Sequence, residues 1–333
     1  MSNERKNILV LFGGGGTEHE VSVISSQYVF DCLKKIEEFN PILVEITKEG
    51  HWECQGRKSS LNGRILKTPT EQPYIDYVVP VIHGPPGETG EIQSYLKTLG
   101  IPFFGPEAEA SMICFNKVTT KLWFDSLNIP NTPWIFANKY QDFNQSEKNS
   151  YLQFFKNNGE DVFVKAANQG SSVGCFHVTN EDQLLDTIKK AFQYSDNVLI
   201  EKTIKGRELE IAVYEDNGEI KATVPGEIIC PDGFYSYEEK YSNQSHTSTE
   251  VEAKNLTPQQ IESMRDCAIK AFKAIGLRHL SRIDFFVSHD GISLNEINTF
   301  PGMTPISMFP KMVENTGLKF EDYLKQIIIK DLS

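Results

Sequence analysis

The chain of 333 residues is longer than one hydrophobic core usually serves, so two or three domains are expected. Its 39% hydrophobic and 23% charged residues are typical of a soluble globular protein. Its 45 acidic residues outnumber the 33 lysines and arginines, and the net charge of −12 argues against nucleic acid as a partner. No apolar run reaches membrane-spanning length and the start lacks the apolar core of a secretory signal, so we expect a cytoplasmic protein that binds no membrane.

Two glycine-rich turns follow buried strands in the first hundred residues. A strand at 8–12 enters the turn 13–16 and then a helix whose apolar face is expected to include Ile24. A second strand, 77–82, enters the turn HGPPGETG and another helix. This order predicts a parallel sheet with ligand-facing turns at the carboxyl ends of its strands. Neither turn has the full GxGxxG spacing with a following acidic residue, which argues against a dehydrogenase.

The centre of the chain alternates helices with short strands and predicts a small α+β lobe. We expect one helix over 108–127, then a polar stretch over 138–149. A strand at 162–166 ends in Lys165-Ala166 and precedes the loop NQGSSVG, whose backbone N–H groups are suited to phosphates. Alone this is a weak signal, and a flexible surface hairpin is the alternative.

The last segment contains a well-marked helix and a long polar loop. Thr257 is expected to cap the helix and Gly276 to end it. The loop over 233–254 is long enough to be the cover of an active site.

A hairpin after this helix carries the residues most suited to bind divalent cations. A three-residue loop ending in Gly291 sets Asp284 opposite Glu296, with Asn298 diagonal to Asp284. A two-residue loop would move Glu296 to the other face. Carboxylate and amide oxygens suit Mg²⁺ or Mn²⁺ bound together with substrate phosphates. The alternative is the polar face of an ordinary amphipathic hairpin.

The order of these features along the chain resembles the ATP-grasp superfamily and, within it, the D-alanine–D-alanine ligases. The resemblance extends from residue 13 to residue 319 and rests on the motifs GGGGTEHEVS, HGPPGETG, VKAANQGSSVG, LIEKTIKGRELE, EEKY, SRIDFF and LNEINTFPGMTPIS. It implies a three-domain α/β (α+β) fold. The implied domains are an N-terminal parallel-sheet domain, 1–105, a central lobe, 106–200, and a C-terminal catalytic lobe, 201–333, with the lid loop 233–254.

The resemblance also implies how the nucleotide and the metal ions are bound. Lys117 and Lys165 match the two lysines that bind the phosphates of ATP. Glu201, Lys202 and Ile204 match the strand that meets adenine, and Glu208 matches the residue that holds the ribose. The implied ligands of two Mg²⁺ ions, with Mn²⁺ as an alternative, are Asp284, Glu296 and Asn298.

The remaining site residues match those that handle the amino acids. Glu18, with Ser171 and Tyr241, matches the group that receives the ammonium of the first D-alanine, beside His83. Lys240 and Ser307 match the residues that receive the carboxylate of the second. Arg282 and the N–H of Gly302 match the pair that stabilises the oxyanion. Without the resemblance, Glu18 is equally suited to complement a helix dipole, and His83 is more often a turn or core histidine.

The implied activity is ATP-dependent joining of two D-alanines through an acyl phosphate, for peptidoglycan synthesis, by a homodimer. One alternative keeps this chemistry with D-serine, D-lactate or another amino acid as the second substrate. Another is a nucleotide-binding regulator with a degenerate site, against which the complete set of charged motif residues argues.

Overall fold

The computed structural model describes residues 5–141, 143–229 and 248–333, which form nine helices and seventeen strands. The helices are α1 (His19–Lys34), α2 (Glu91–Thr98), α3 (Ala108–Phe115), α4 (Lys117–Ser126), α5 (Gln145–Asn157), α6 (Glu181–Ala191), α7 (Pro258–Ile275), α8 (Met308–Asn315) and α9 (Phe320–Leu332). The strands are β1 (Lys6–Gly13), β2 (Phe39–Ile46), β3 (Trp52–Cys54), β4 (Arg57–Lys58), β5 (Ser60–Asn62), β6 (Ile65–Lys67), β7 (Tyr77–Val81), β8 (Trp134–Asn138), β9 (Val162–Ala166), β10 (Cys175–Val178), β11 (Asn197–Lys202), β12 (Arg207–Asp216), β13 (Glu219–Ala222), β14 (Gly226–Ile229), β15 (Ser248–Glu250), β16 (Leu280–Ser288) and β17 (Gly291–Asn298).

The first sheet has five strands in the order β4-β3-β2-β1-β7. Its centre is parallel, as predicted, because β1 pairs in the same direction with both β2 and β7. The two glycine-rich turns therefore leave the sheet at one edge, where they pack against each other. A Cβ added to Gly14, which has φ +98°, would lie 3.0 Å from the carbonyl oxygen of Pro85. This contact requires glycine at position 14.

Serines form most of the buried face in the first half of α1, whereas Val29, Cys32 and Leu33 form it in the second half. Ser22 and Ser25 are fully buried, whereas Ile24 is 56% exposed, so its predicted place in the core is wrong. The hydroxyl of Ser22 accepts a hydrogen bond from Gly13 N at 2.7 Å and donates to the carbonyl of Val81. Small hydroxyl side chains let α1 lie close to the glycine turn while satisfying its backbone groups.

The central sheet has four antiparallel strands in the order β10-β9-β11-β8. The predicted single helix over 108–127 is wrong, because Asn116 is non-helical and its side chain accepts hydrogen bonds from Val118 N and Thr119 N to cap α4. The break has a consequence for the site: Lys117 N donates to Ala167 O at 3.0 Å, which attaches the start of α4 to the loop after β9.

A helix also forms where the sequence predicted only a polar stretch. Helix α5 begins after Asn144, whose side chain accepts a hydrogen bond from Glu147 N. Its inner face buries Tyr151 and Phe155 against the central sheet. The segment has too few apolar residues to show a helical period clearly, because only two aromatic side chains of this helix are buried.

The last sheet has six antiparallel strands, in the order β15-β14-β12-β16-β17, and β13 pairs with the end of β12 on the same edge as β14. The predicted capping box of α7 is present at Thr257 and Gln260, and Gly276 ends the helix in the left-handed region. Helices α8 and α9 pack on β12, and α9 also contacts α1, so residues from the beginning and the end of the chain share one core. No helix in the described ranges is both long and apolar enough to cross a membrane.

The hairpin β16–β17 reaches the predicted register by a different route. Ser288 pairs with Gly291, so the loop has two residues and the predicted three-residue loop is wrong. Asp284 nevertheless pairs with Glu296, because Asn295 is an extra residue between the Phe285–Leu294 pair and the Asp284–Glu296 pair. This β-bulge shifts the alternation by one and returns Glu296 to the face of Asp284.

Candidate active site

One cleft of about 1640 Å³ lies between the three larger sheets, and all the predicted site residues in the described part of the chain line it. These residues are Glu18, His83, Lys117, Lys165, Ser171, Glu201, Lys202, Ile204, Glu208, Arg282, Asp284, Glu296, Asn298, Gly302 and Ser307. Lys240 and Tyr241 lie outside the described residues, as does most of the predicted lid. The volume is sufficient for a nucleotide together with small substrates.

The floor of the cleft carries a row of three carboxylates across neighbouring strands. Glu210 on β12 pairs with Asp284 on β16, which pairs with Glu296 on β17. Asn298 extends its Nδ2 to Oδ2 of Asp284 at 2.9 Å. Glu210 was not among the predicted site residues, although it stands two residues from Glu208 and therefore on the same strand face.

Arg282 is held in this row by two acidic residues. Its Nε and Nη2 donate to the two carboxylate oxygens of Asp284, both at 2.8 Å, and Nε also lies 3.2 Å from Oε1 of Glu210. Although burial acts to lower it, the charges of Asp284 and Glu210 raise the pKa of Arg282. The guanidinium is therefore a fixed positive charge in the wall of the cleft.

The carboxylates and Asn298 offer only hard oxygen donors, which fit Mg²⁺ or Mn²⁺. Among the residues that the structure describes, no three acidic, histidine or cysteine side chains form a metal site by themselves. Asp284 is turned toward Arg282 and Asn298, and such an incomplete set suits ions whose remaining ligands are phosphates and water.

The two predicted phosphate lysines enter the cleft from the central lobe. Lys117, the first residue of α4, donates from Nζ to Gln169 O at 2.7 Å and lies 3.9 Å from Oε2 of Glu296. Lys165, at the end of β9, forms a close ion pair with Glu201. Burial acts to lower the pKa of Lys165, but the carboxylate of Glu201 outweighs it and raises that pKa.

The side chain of Glu201 is directed toward lysines rather than into the open cleft. Its Oε1 meets Lys165 and its Oε2 lies 3.4 Å from Nζ of Lys121, which the sequence analysis missed. Lys121 is four residues after Lys117 and so shares its helix face, a spacing visible in the sequence. Burial lowers the pKa of Lys121, an effect that the charge of Glu201 opposes.

Glu18 connects the first glycine turn with the loop of the central lobe. It precedes α1 but makes no side-chain capping bond to that helix. Its Oε1 accepts a 2.6 Å hydrogen bond from the hydroxyl of Ser171, and a Cβ added to Gly170 would lie 2.7 Å from its Oε2. The carboxylate is thus held against a glycine that leaves it room.

His83 and Glu88 join the second glycine turn to the segment after β17. Nδ1 of His83 lies 3.1 Å from Phe300 O, which can only accept, and Nε2 lies 2.8 Å from the hydroxyl of Ser25. Glu88 accepts hydrogen bonds from Gly84 N at 2.9 Å and Phe300 N at 3.2 Å. Burial, assisted by the charge of Glu18, raises the pKa of Glu88 to about 7. Glu88 was not among the predicted site residues, although it lies within the motif HGPPGETG.

The last predicted residues lie along the rim. Ser307 accepts from Thr304 N at 3.0 Å, and its Oγ would be 2.9 Å from a Cβ on Gly302. Lys202 turns its Nζ to within 3.5 Å of Oδ2 of Asp290, away from the lysine–glutamate cluster. Ile204 and Glu208 follow on the same wall of the cleft.

The arrangement agrees with comparisons to known proteins. Residues 7–106 and 123–329 match the families described as "D-ala D-ala ligase N-terminus" and "D-ala D-ala ligase C-terminus". A D-alanine–D-alanine ligase from Vibrio campbellii is 52% identical over 327 residues, which cover 97% of this chain and 98% of that protein.

Solved structures give the same result. The D-alanyl-alanine synthetase A of Vibrio cholerae has a TM-score of 0.92 at 49% identity, with 98% of both chains covered. A D-Ala:D-Ser ligase from Enterococcus faecalis has a TM-score of 0.84 at 27% identity, covering 99% of this chain and 100% of that chain. The chain therefore belongs to the D-alanine–D-alanine ligase family and has the three-domain α+β fold of the ATP-grasp superfamily.

Proposed function

We propose that this protein joins two D-alanines at the expense of ATP, through an acyl phosphate, for peptidoglycan synthesis. The observation that carries the proposal is the convergence of the phosphate lysines, the acid row with Arg282, and the Glu18–Ser171 pair on one cleft. The full-length likeness to ligases of this family supports it. In keeping with the family, we propose a homodimer in the cytoplasm, built of the domains 1–105, 106–200 and 201–333.

The nucleotide is proposed to lie between the central and C-terminal sheets. Lys117 and Lys165 bind its phosphates, and the backbone of 201–204 meets adenine, since the Glu201 side chain is turned to the lysines. Glu208 holds the ribose. The oxygen donors of Asp284, Glu296 and Asn298 hold two Mg²⁺ ions, which neutralise charge on the phosphates when bound.

The first D-alanine is proposed to place its ammonium against Glu18. The hydroxyl of Ser171 holds that carboxylate in position. His83 stands beside the same substrate, and burial lowers its pKa although Glu18 opposes the change. A neutral imidazole there leaves the positive charge of the substrate unopposed.

The reaction then requires two group transfers. The γ-phosphoryl of ATP passes to the carboxylate of the first D-alanine and gives ADP and an acyl phosphate. The amine of the second D-alanine, whose carboxylate lies near Ser307, attacks the acyl carbon. The tetrahedral intermediate places its oxyanion toward Arg282 and the N–H of Gly302, and phosphate leaves as the peptide bond forms.

The experiment that tests this function measures ADP release with Mg²⁺ and a panel of D- and L-amino acids. We expect D-alanine alone to stimulate release and to yield a dipeptide, identified by its mass. Mixed incubations with D-serine or D-lactate as acceptors measure the choice of second substrate. Absence of stimulation by D-alanine, with ATP bound, would contradict the assignment.

A further inference from the structure

A third lysine lies beneath the two that face the cleft. Lys121 is 2% exposed and Glu201 is 3% exposed, whereas Lys165 retains 16% exposure. The carboxylate of Glu201 is shared, with one oxygen on Lys165 and the other 3.4 Å from Nζ of Lys121. The order from the interior to the cleft is therefore Lys121, Glu201, Lys165.

Lys121 does not belong to the wall of the cleft. Among the described residues, those that line the large cleft do not include Lys121. Lys121 instead borders a small cavity of about 10 Å³, together with Lys165 and Glu201. The 3.4 Å between its Nζ and Oε2 of Glu201 is long for a direct hydrogen bond. The cavity is close to the smallest space that holds a water able to bridge the two.

The burial of Lys121 is costly and needs a compensating role. Taking an ammonium out of water costs several kcal/mol unless a paired charge offsets it, and hydrophobic replacements of buried pairs are often tolerated. Packing alone does not require a lysine at this position, because α4 and β11 already join through Val118 and Leu199. The reason for the charge is electrostatic.

The charge balance of the cluster supplies that reason. Lys165 and Glu201 alone would be a neutral pair, and the carboxylate would compete with a phosphate for the same ammonium. With Lys121 on the other oxygen, the three groups carry a net charge of one positive unit on the cleft side. The lysine at the surface then acts on the phosphates with its charge uncancelled.

We propose that Lys121 is a positioning residue that engages the buried oxygen of Glu201 and so makes the charge of Lys165 available to the nucleotide phosphates. The inference rests on the proposed function only in assigning phosphates to Lys165. Because Lys121 does not line the cleft, it would touch neither the nucleotide nor the amino acids.

The test compares Lys121→Met with Lys139→Met, an exposed lysine of the same lobe that pairs with Asp196. Calorimetric titration of the full-length protein measures the Kd of ADP and of adenosine. For Lys121→Met we expect ADP to bind roughly tenfold or more weakly and adenosine to bind within about twofold of wild type, because only the phosphates sense the lost charge. Lys139→Met should leave both affinities unchanged.

A compensating variant separates this role from packing. Lys121→Met combined with Glu201→Gln restores one net positive charge and removes both buried ions, so ADP affinity should return to within about threefold of wild type. This double variant also serves if Lys121→Met alone does not fold. The proposal is overturned if Lys121→Met binds ADP normally, if ADP and adenosine weaken equally, or if the double variant binds ADP no better than the single one. The amino-acid turnover of wild type tests the ligase function separately.

Discussion

The buried carboxylate of Glu88 makes the stability of this protein depend on pH in a direction that can be worked out. Its oxygens accept hydrogen bonds from Gly84 N and Phe300 N, which join the second glycine turn to the C-terminal lobe. Burial, with the nearby charge of Glu18, raises its pKa from 4.5 to about 7. Glu88→Gln replaces this carboxyl by a group of the same shape that does not titrate.

The sign follows from proton binding in the two states. Between pH 4.5 and about 7 the folded protein binds a proton on Glu88 that the unfolded chain has lost, so the free energy of unfolding falls as pH rises. The contribution is fully present below pH 4.5 and absent above about 7. A difference of about 2.5 pKa units corresponds to about 3 kcal/mol, most of which is lost between pH 5 and 8.

Urea unfolding at pH 5 and at pH 8 measures this contribution. Wild type should lose about 2 to 3 kcal/mol more than Glu88→Gln between the two pH values. Glutamine can accept only one of the two backbone hydrogen bonds that Glu88 accepts. This loss is the same at both pH values, so it cancels when the free energies of unfolding at pH 5 and pH 8 are subtracted. Glu109→Gln, an exposed carboxyl on α3, should behave as wild type. Parallel pH dependence of wild type and Glu88→Gln would refute the reasoning.

Three further changes test the site. Arg282→Ala should lower kcat by about a hundred- to thousandfold while leaving the Kd of ATP in calorimetry nearly unchanged, and lost binding with normal saturated turnover would contradict its oxyanion role. Ser171→Ala should raise the KM of the first D-alanine roughly tenfold by freeing Glu18, and an unaltered KM would remove it from that subsite. Deletion of Asn295 should preserve turnover to within about tenfold, because it removes only the extra residue and leaves Glu296 opposite Asp284 in regular alternation, and a folded but inactive deletion variant would contradict this account of the register.

The sequence predicted which residues share one cleft more completely than it predicted the helices and strands that carry them. Asp284 and Glu296 were expected to face each other, and they do, yet the loop between the strands has one residue fewer than predicted. The bulge at Asn295 compensates for the shorter loop and keeps Glu296 opposite Asp284. The alternation of side chains along a strand predicts which residues share a face. The position of a bulge depends on how the strand packs against its neighbours, and the sequence of a single strand does not show that packing.

Buried polar residues were the harder part to predict. Ser22 and Ser25 on α1 follow no apolar period, so the pattern selected the exposed Ile24 instead. Lys121 and Glu88 carry charges that a sequence argument assigns to the surface. Their burial depends on partners far along the chain, Glu201 and Phe300.

The distribution of charge explains how a chain of net charge −12 offers a cleft to an anion. Lysines approach from the central lobe and carboxylates from the C-terminal hairpin, and the two sets meet where Nζ of Lys117 lies 3.9 Å from Oε2 of Glu296. A phosphate bound by these lysines, as proposed, would therefore lie directly beside oxygen donors suited to divalent cations. The electrostatic field inside the cleft is set by the side chains nearest to it, because charges farther away than about 8 to 10 Å are largely screened by salt. The global charge thus governs solubility, while the meeting of these two local sets governs binding.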